Sequence, residues 1–102
     1  MFGRMNGKRK RMNIALDYDD TFTRDPAFWG GVIRWARSRG HRIFICTCRA
    51  AQDHDDMALP GNMETFFTGG MSKRKFMADL GIRVDVWIDD MPEMILDVPL
   101  IG

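Results

Sequence analysis

Apolar positions along the chain fall into short continuous runs separated by polar and glycine-rich breaks. Met12 to Leu16 is the first such run and ends in Asp17-Tyr18-Asp19-Asp20-Thr21, which reads as a buried strand opening into a loop. Asp25 followed by Pro26 has the form of a helix start, because a carboxylate caps the free amides and proline suits the first helical position. Phe28, Val32 and Trp35 then recur at helical spacing until Gly40, so a first helix is expected, with Phe28, Trp29 and Trp35 in the core. Gly30 and Gly31 weaken it. Arg42 to Thr47 is β-type and continuous rather than alternating, as suits a parallel strand covered on both faces.

Beyond it, Ala50 to Leu59 has room only for a short helix before Pro60 and Gly61. Met63 to Phe67 predicts a third strand with Thr68-Gly69-Gly70 as its exit loop, and Ser72 caps a helix from Lys73 to Leu80. Val84 to Ile88 predicts a fourth strand that ends in Asp89-Asp90. One helical turn from Pro92 to Leu96 and a fifth strand from Val98 to Ile101 complete the pattern. Strands alternating with helices imply right-handed crossovers. The expected fold class is therefore α/β, a small Rossmann-like parallel β-sheet with helices on both faces.

Length and composition agree with this picture: 102 residues, 45% hydrophobic and 28% charged, suit one folded domain. No apolar run approaches the length of a membrane span and none has the form of a secretory signal, so the cytoplasm is the expected compartment, with no membrane partner. Cys46 and Cys48 are too close for an unstrained disulfide and read as reduced, buried thiols. The net charge of +1 hides a segregation. Residues 1 to 11 carry five positive charges, leaving 10 basic against 14 acidic residues in the remainder. Residues 1 to 11 are expected to form a flexible, solvated basic arm, with nucleic-acid binding as the alternative, and residues 12 to 102 to form the domain.

Ligands of open parallel sheets bind beyond the carboxyl ends of the strands. Asp17, Asp19, Thr47, Lys73, Asp89 and Asp90 are all predicted to lie at that end. A phosphate ester repels an anionic nucleophile, so carboxylates suit this chemistry only with a divalent cation and a lysine to neutralise charge. Asp17, Asp89 and Asp90 have the ligand type for Mg2+, and Asp17 can then attack phosphorus as a nucleophile. Asp19, two residues on, is placed to protonate the leaving oxygen and deprotonate water, with a pKa expected to be raised by carboxylate repulsion and partial burial. Thr47 is expected to hydrogen-bond phosphate oxygens.

The run from Asn13 to Thr21 resembles the DxDx[TV] motif of the haloacid dehalogenase superfamily, and Ile43 to Arg49 resembles its second motif. Lys73 or Lys75 matches the third-motif lysine, the family's spacing to Phe76 favouring Lys73, and Val86 to Asp90 matches the paired-aspartate fourth motif. The resemblance implies an aspartyl-phosphate on Asp17, an acid/base role for Asp19, and magnesium held by Asp17, the Asp19 backbone carbonyl and Asp89 with help from Asp90. It further implies a member without a cap domain, since neither common insertion point carries one. An open mouth of that kind suits either a macromolecular phosphorylated substrate or a homo-oligomer that covers the site, with Phe22, Trp29 and Met91 placed to supply apolar surface. Two other functions fit an acidic pocket on an α/β sheet: a receiver-like phospho-acceptor domain and a catalytically silent binding or regulatory module. Asp20, Asp25, Asp53, Asp55, Asp56 and Asp97 read as solvated loop charges.

Overall fold

Four of the apolar runs become strands: β1 (Asn13–Leu16), β2 (Arg42–Thr47), β3 (Thr65–Phe67) and β4 (Val86–Ile88). In the computed structural model, which describes residues 10–96, they form one sheet of order β3-β2-β1-β4 with every neighbouring pair parallel. Ile14 lies opposite Ile43 and Val86, and Leu16 opposite Ile45 and Ile88. β2 fills its whole apolar run, whereas β1, β3 and β4 are shorter than the runs that contain them. At β4 the cause is visible: Asp85 accepts from the Asn13 amide through its side chain at 2.8 Å and donates its own amide to the Asn13 carbonyl, also at 2.8 Å. A side-chain bond thus serves an amide that ladder pairing would otherwise take.

Because side chains alternate along a strand, the sheet sorts its residues into two cores. Ile14, Leu16, Ile43 and Ile45 face one way and meet Ile33 and Ala36 of α1 (Pro26–Ser38). Ala15, Phe44 and Cys46 face the other way and meet Met77 of α2 (Lys73–Asp79). Both helices start as expected. Asp25 accepts from the Phe28 amide at 3.2 Å, and Ser72 accepts from the Lys75 amide at 3.3 Å. No helix among the described residues is long and apolar enough to cross a membrane.

Several local expectations change. Phe28 and Trp35 lie outside the core, 57% and 69% exposed, because the buried face of α1 is set by Gly30, Ile33 and Ala36 at intervals of three. Phe28 and Trp35 fall outside that face; Trp29 alone of the three packs partly against the core. Phe22, expected near the mouth, is buried in a 3-10 turn (Phe22–Arg24) and stacks on Tyr18. The helix expected from Ala50 to Leu59 is reduced to one 3-10 turn, Ala51–Asp53. Asp53, Asp55 and Asp56 give that segment no apolar face, and only Met57 and Leu59 reach the core.

Cys46 and Cys48 are free; Cys46 is buried as expected, which pushes its thiol up to about 12, whereas Cys48 is only partly buried and borders the cavity beyond β2, its thiol also raised by burial. Val98 to Ile101, Asp97 and residues 1–9 of the arm lie outside the described residues. In the sheet, β1 lies between β2 and β4: the chain runs from β1 to β2 and β3 on one side, then crosses back from β3 to β4 on the other. The carboxyl end of β1 is therefore the switch point where a crevice forms.

Candidate functional site

Asp17 stands at that crevice, the first residue after β1, with its amide donating to the Ile88 carbonyl at 2.9 Å so that the pairing with β4 continues into the site. Its side chain is 9% exposed. One carboxylate oxygen accepts from Lys73 Nζ at 2.8 Å, and the other accepts from the Thr21 hydroxyl at 3.0 Å. Burial pushes the Asp17 carboxyl up to about 6, against the pull of Lys73; hydrogen bonding with Asp90 and the charge of Asp89 act in the same direction as burial.

Lys73 is fully buried at the start of α2 and donates to Asp89 as well as Asp17. Burial alone lowers the pKa of an ammonium, but the two carboxylate partners outweigh it and the group is held above its ordinary value. The turn that brings it there needs two left-handed residues, and Gly69 and Gly70 supply them at φ 62° and 89°. Their amides donate to the Arg49 and Cys48 carbonyls at 3.1 and 3.0 Å, tying this turn to the end of β2. Lys75, the rival lysine, points outward and pairs with Asp79 one helical turn on.

Asp89 follows β4 and accepts from the Met91 amide at 2.9 Å. Carboxylate oxygens of Asp17, Asp89 and Asp90 lie within 4.8 Å of one another, close enough for one cation to touch all three. Thr21 ties this group together. Its hydroxyl accepts from the Asp90 amide at 3.2 Å and lies 3.0 Å from Asp17 and 3.2 Å from Asp90 Oδ1, so its single proton is shared by the two carboxylates. Sequence reasoning gave Thr21 no role, although it stood inside the quoted motif.

Asp19 departs from expectation. Its side chain is 49% exposed and accepts from Arg49 through both oxygens, at 2.8 and 2.9 Å. The Arg49 guanidinium holds the carboxyl below its ordinary value, so the expected upward shift is overturned: the charged partner outweighs a small burial. The side chain does not join the three-carboxylate set among the described residues. Arg49 also donates to the Asp53 carbonyl at 2.9 Å, pairs with Asp56 and lies 5.3 Å from the centre of the Tyr18 ring. It was quoted in the second motif but assigned no task. Of the other acidic residues read as solvated, Asp20, Asp25, Asp53, Asp55 and Asp56 are exposed, though Asp25 caps α1 and Asp56 serves Arg49.

Asp17, Asp19, Thr47, Lys73, Asp89 and Asp90 border one cavity of about 160 Å³. That is room for about five waters, enough for a tetrahedral oxyanion group, and the cavity opens toward solvent beside Asp89 and Asp90. Thr47 is buried, and its hydroxyl accepts from the Arg49 amide at 3.2 Å. Met91 is exposed and sits on the rim with Met94. No family model, no curated protein and no solved structure matches the chain, so the chemistry is argued from these atoms.

Proposed function

We propose that this protein is a magnesium-dependent phosphohydrolase of the haloacid dehalogenase type, without a cap domain, that cleaves a phosphomonoester through an aspartyl-phosphate on Asp17. One observation carries the reading: a buried carboxylate at the sheet's switch point has a buried lysine on one oxygen and two further carboxylates within reach of a shared cation. A buried carboxylate held by a lysine beside two further acids suits a nucleophile whose charge, and that of the phosphate, a bound cation offsets.

The donor set fits magnesium, a hard cation that takes carboxylate oxygens and keeps several waters; Asp17, Asp89 and Asp90 are the residues that would hold it. When bound, it supplies positive charge that cancels repulsion between carboxylates and phosphate. Asp17 then forms a bond to phosphorus as the bond to the leaving oxygen breaks. Asp19 gives that oxygen its proton and next takes a proton from water, whose oxygen displaces phosphate and restores Asp17. To do so Asp19 exchanges its Arg49 partner for the substrate and, freed of the guanidinium that holds its pKa down, takes up a proton from solvent before phosphorus is attacked. Lys73 holds the Asp17 carboxylate in place, and the Thr47 hydroxyl faces the transferred group.

Hydrolysis of p-nitrophenyl phosphate in magnesium tests this. Asp17→Asn is expected to lower turnover by at least about a thousandfold, whereas Asp55→Asn, changed at an exposed position beside His54, keeps it. Equal losses in the two variants, or turnover that needs no divalent cation, would remove the assignment.

A further inference from the structure

The charge segregation of the chain continues within the domain. Residues 26 to 52 hold Arg34, Arg37, Arg39, Arg42 and Arg49 and no acidic residue, while residues 53 to 97 hold ten acidic residues. On α1 this basic stretch coincides with the exposed aromatics. Phe28 and Trp35, seven residues apart, lie on one outward stripe about 10 Å from each other along the helix axis. Beside this stripe Arg34 reaches back along the helix, its two terminal nitrogens 3.7 and 3.8 Å from where side chains on Gly30 and Gly31 would begin. The Arg39 guanidinium stands 5.9 Å from the centre of the Trp35 ring. Neither Arg24 nor Arg34 is ion-paired among the described residues, and the nearby Asp25 is engaged as the helix cap.

This stripe is continuous with the site. Phe28 meets Trp29 edge to face at 4.9 Å, and Trp29 and Arg24 line a cleft of about 490 Å³ together with Asp20, Thr21, Ile88, Asp89 and Asp90. At the other end of α1 the chain enters beside His41, whose Nδ1 accepts from the Met12 amide at 3.0 Å. Lys10 and Arg11 are exposed there, and Arg4, Lys8 and Arg9 precede them in sequence. Basic residues and flat apolar rings therefore run from the chain's entry point to the mouth.

Charge decides what covers such a face. A second copy packed about a two-fold axis would set these arginines against themselves, and like charges in an interface oppose association. A flexible polyanion with planar groups satisfies both features: phosphates meet the arginines, and bases stack on Phe28 and Trp35. We infer that the outward face of α1 docks single-stranded nucleic acid and leads its phosphorylated end through the Trp29 cleft to Asp17. The delivery half of this inference rests on the proposed phosphohydrolase activity; the docking half does not.

A 12-nucleotide oligothymidylate labelled at its 5′ end and phosphorylated at its 3′ end separates the two. Fluorescence anisotropy with the full chain is expected to show binding that weakens roughly tenfold or more between 50 and 200 mM salt, with a log–log slope of about −2 or steeper. Trp35→Ala and Arg34→Ala should each weaken it about fivefold or more. Both variants should lose a similar factor in kcat/KM for phosphate release from the oligonucleotide while hydrolysing p-nitrophenyl phosphate at the unaltered rate. No binding at 50 mM salt, binding indifferent to both substitutions, or a dimer that Trp35→Ala dissociates would each overturn the docking face. Salt-dependent binding without phosphate release from either substrate would support docking and overturn the phosphohydrolase reading instead.

Discussion

Two carboxylates two residues apart, each bonded to a cation, have been driven in opposite directions. Asp17 is almost wholly buried and its pKa rises to about 6 despite Lys73; Asp19 is half exposed and its pKa falls under Arg49. The difference lies in the surroundings. In the interior, desolvation and two neighbouring acids compete with the lysine; at the rim, the bidentate arginine meets only a small burial penalty. The site is thus built from two regions, an interior knot of Asp17, Thr21, Lys73 and Asp89 and a rim clasp of Asp19, Arg49 and Asp56. The knot concentrates unfavourable charge at one point, and the clasp ties a loop.

The largest expected effect comes from breaking the knot. Lys73→Met leaves Asp17 and Asp89 facing each other without their shared cation, and removal of one partner from a buried charge group costs about 3–5 kcal/mol. In a chain of this size that corresponds to a fall of more than about 10 °C in Tm. Lys75→Met, which removes an exposed pair with Asp79, should cost at most about 0.5 kcal/mol. Similar losses from both would mean that burial does not distinguish the two lysines.

The knot should also be the region that a cation stabilises. A ligand that binds only the folded state at a hundred times its Kd adds about 2.7 kcal/mol, so melting in magnesium should exceed melting in chelator by about 10 °C. Asp89→Asn should begin lower, because Lys73 loses a partner, and gain little from magnesium. An undiminished gain in that variant would place the cation elsewhere. The rim should behave differently. Arg49→Ala should change global stability by no more than about 1 kcal/mol, yet release the segment after β2 that Arg49 holds through Asp53 and Asp56, seen as severalfold faster cleavage there by an Asp-directed protease. A loss as large as that of Lys73→Met would mean that the rim and the interior are one unit.

The parts of this arrangement that were legible in the sequence are those governed by local chain geometry. A strand breaking into Asp17-Tyr18-Asp19-Asp20-Thr21, or ending in Asp89-Asp90, shows where its acids will sit once the sheet is parallel. The choice of Lys73 over Lys75 was visible only as a spacing, and which of the two enters the interior is decided by the turn at Gly69 and Gly70. Arg49 and Asp19 lie 30 residues apart, so their pairing depends on how two loops meet, which no periodicity records. The first helix misled for a related reason. Phe28 and Trp35 have the size and spacing of core residues, but α1 turns Gly30, Ile33 and Ala36 to the core, and the two aromatics fall outside that face.

The smallest effect tests whether the rim clasp is a general device of this fold rather than a feature of the site. Arg42 and Glu64 form a second bidentate arginine–carboxylate pair, between β2 and the approach to β3, at 3.0 Å through Nε and with a further bond from the terminal nitrogen. Arg42 holds the Glu64 carboxyl below its ordinary value against a small burial penalty, as Arg49 does for Asp19. A carboxyl whose pKa is depressed in the folded state stabilises the fold above its unfolded pKa, here near 4.5, and loses that contribution as pH falls through the folded value. Glu64→Gln should therefore remove a few tenths of a kcal/mol at neutral pH, the small size reflecting a side chain 47% exposed. The variant and the parent should converge as pH falls through the folded value. Urea titrations in a series from pH 7 into acid check both halves. A difference that persists or grows in acid would show that Glu64 acts through packing rather than charge, and the likeness between the two clasps would end there.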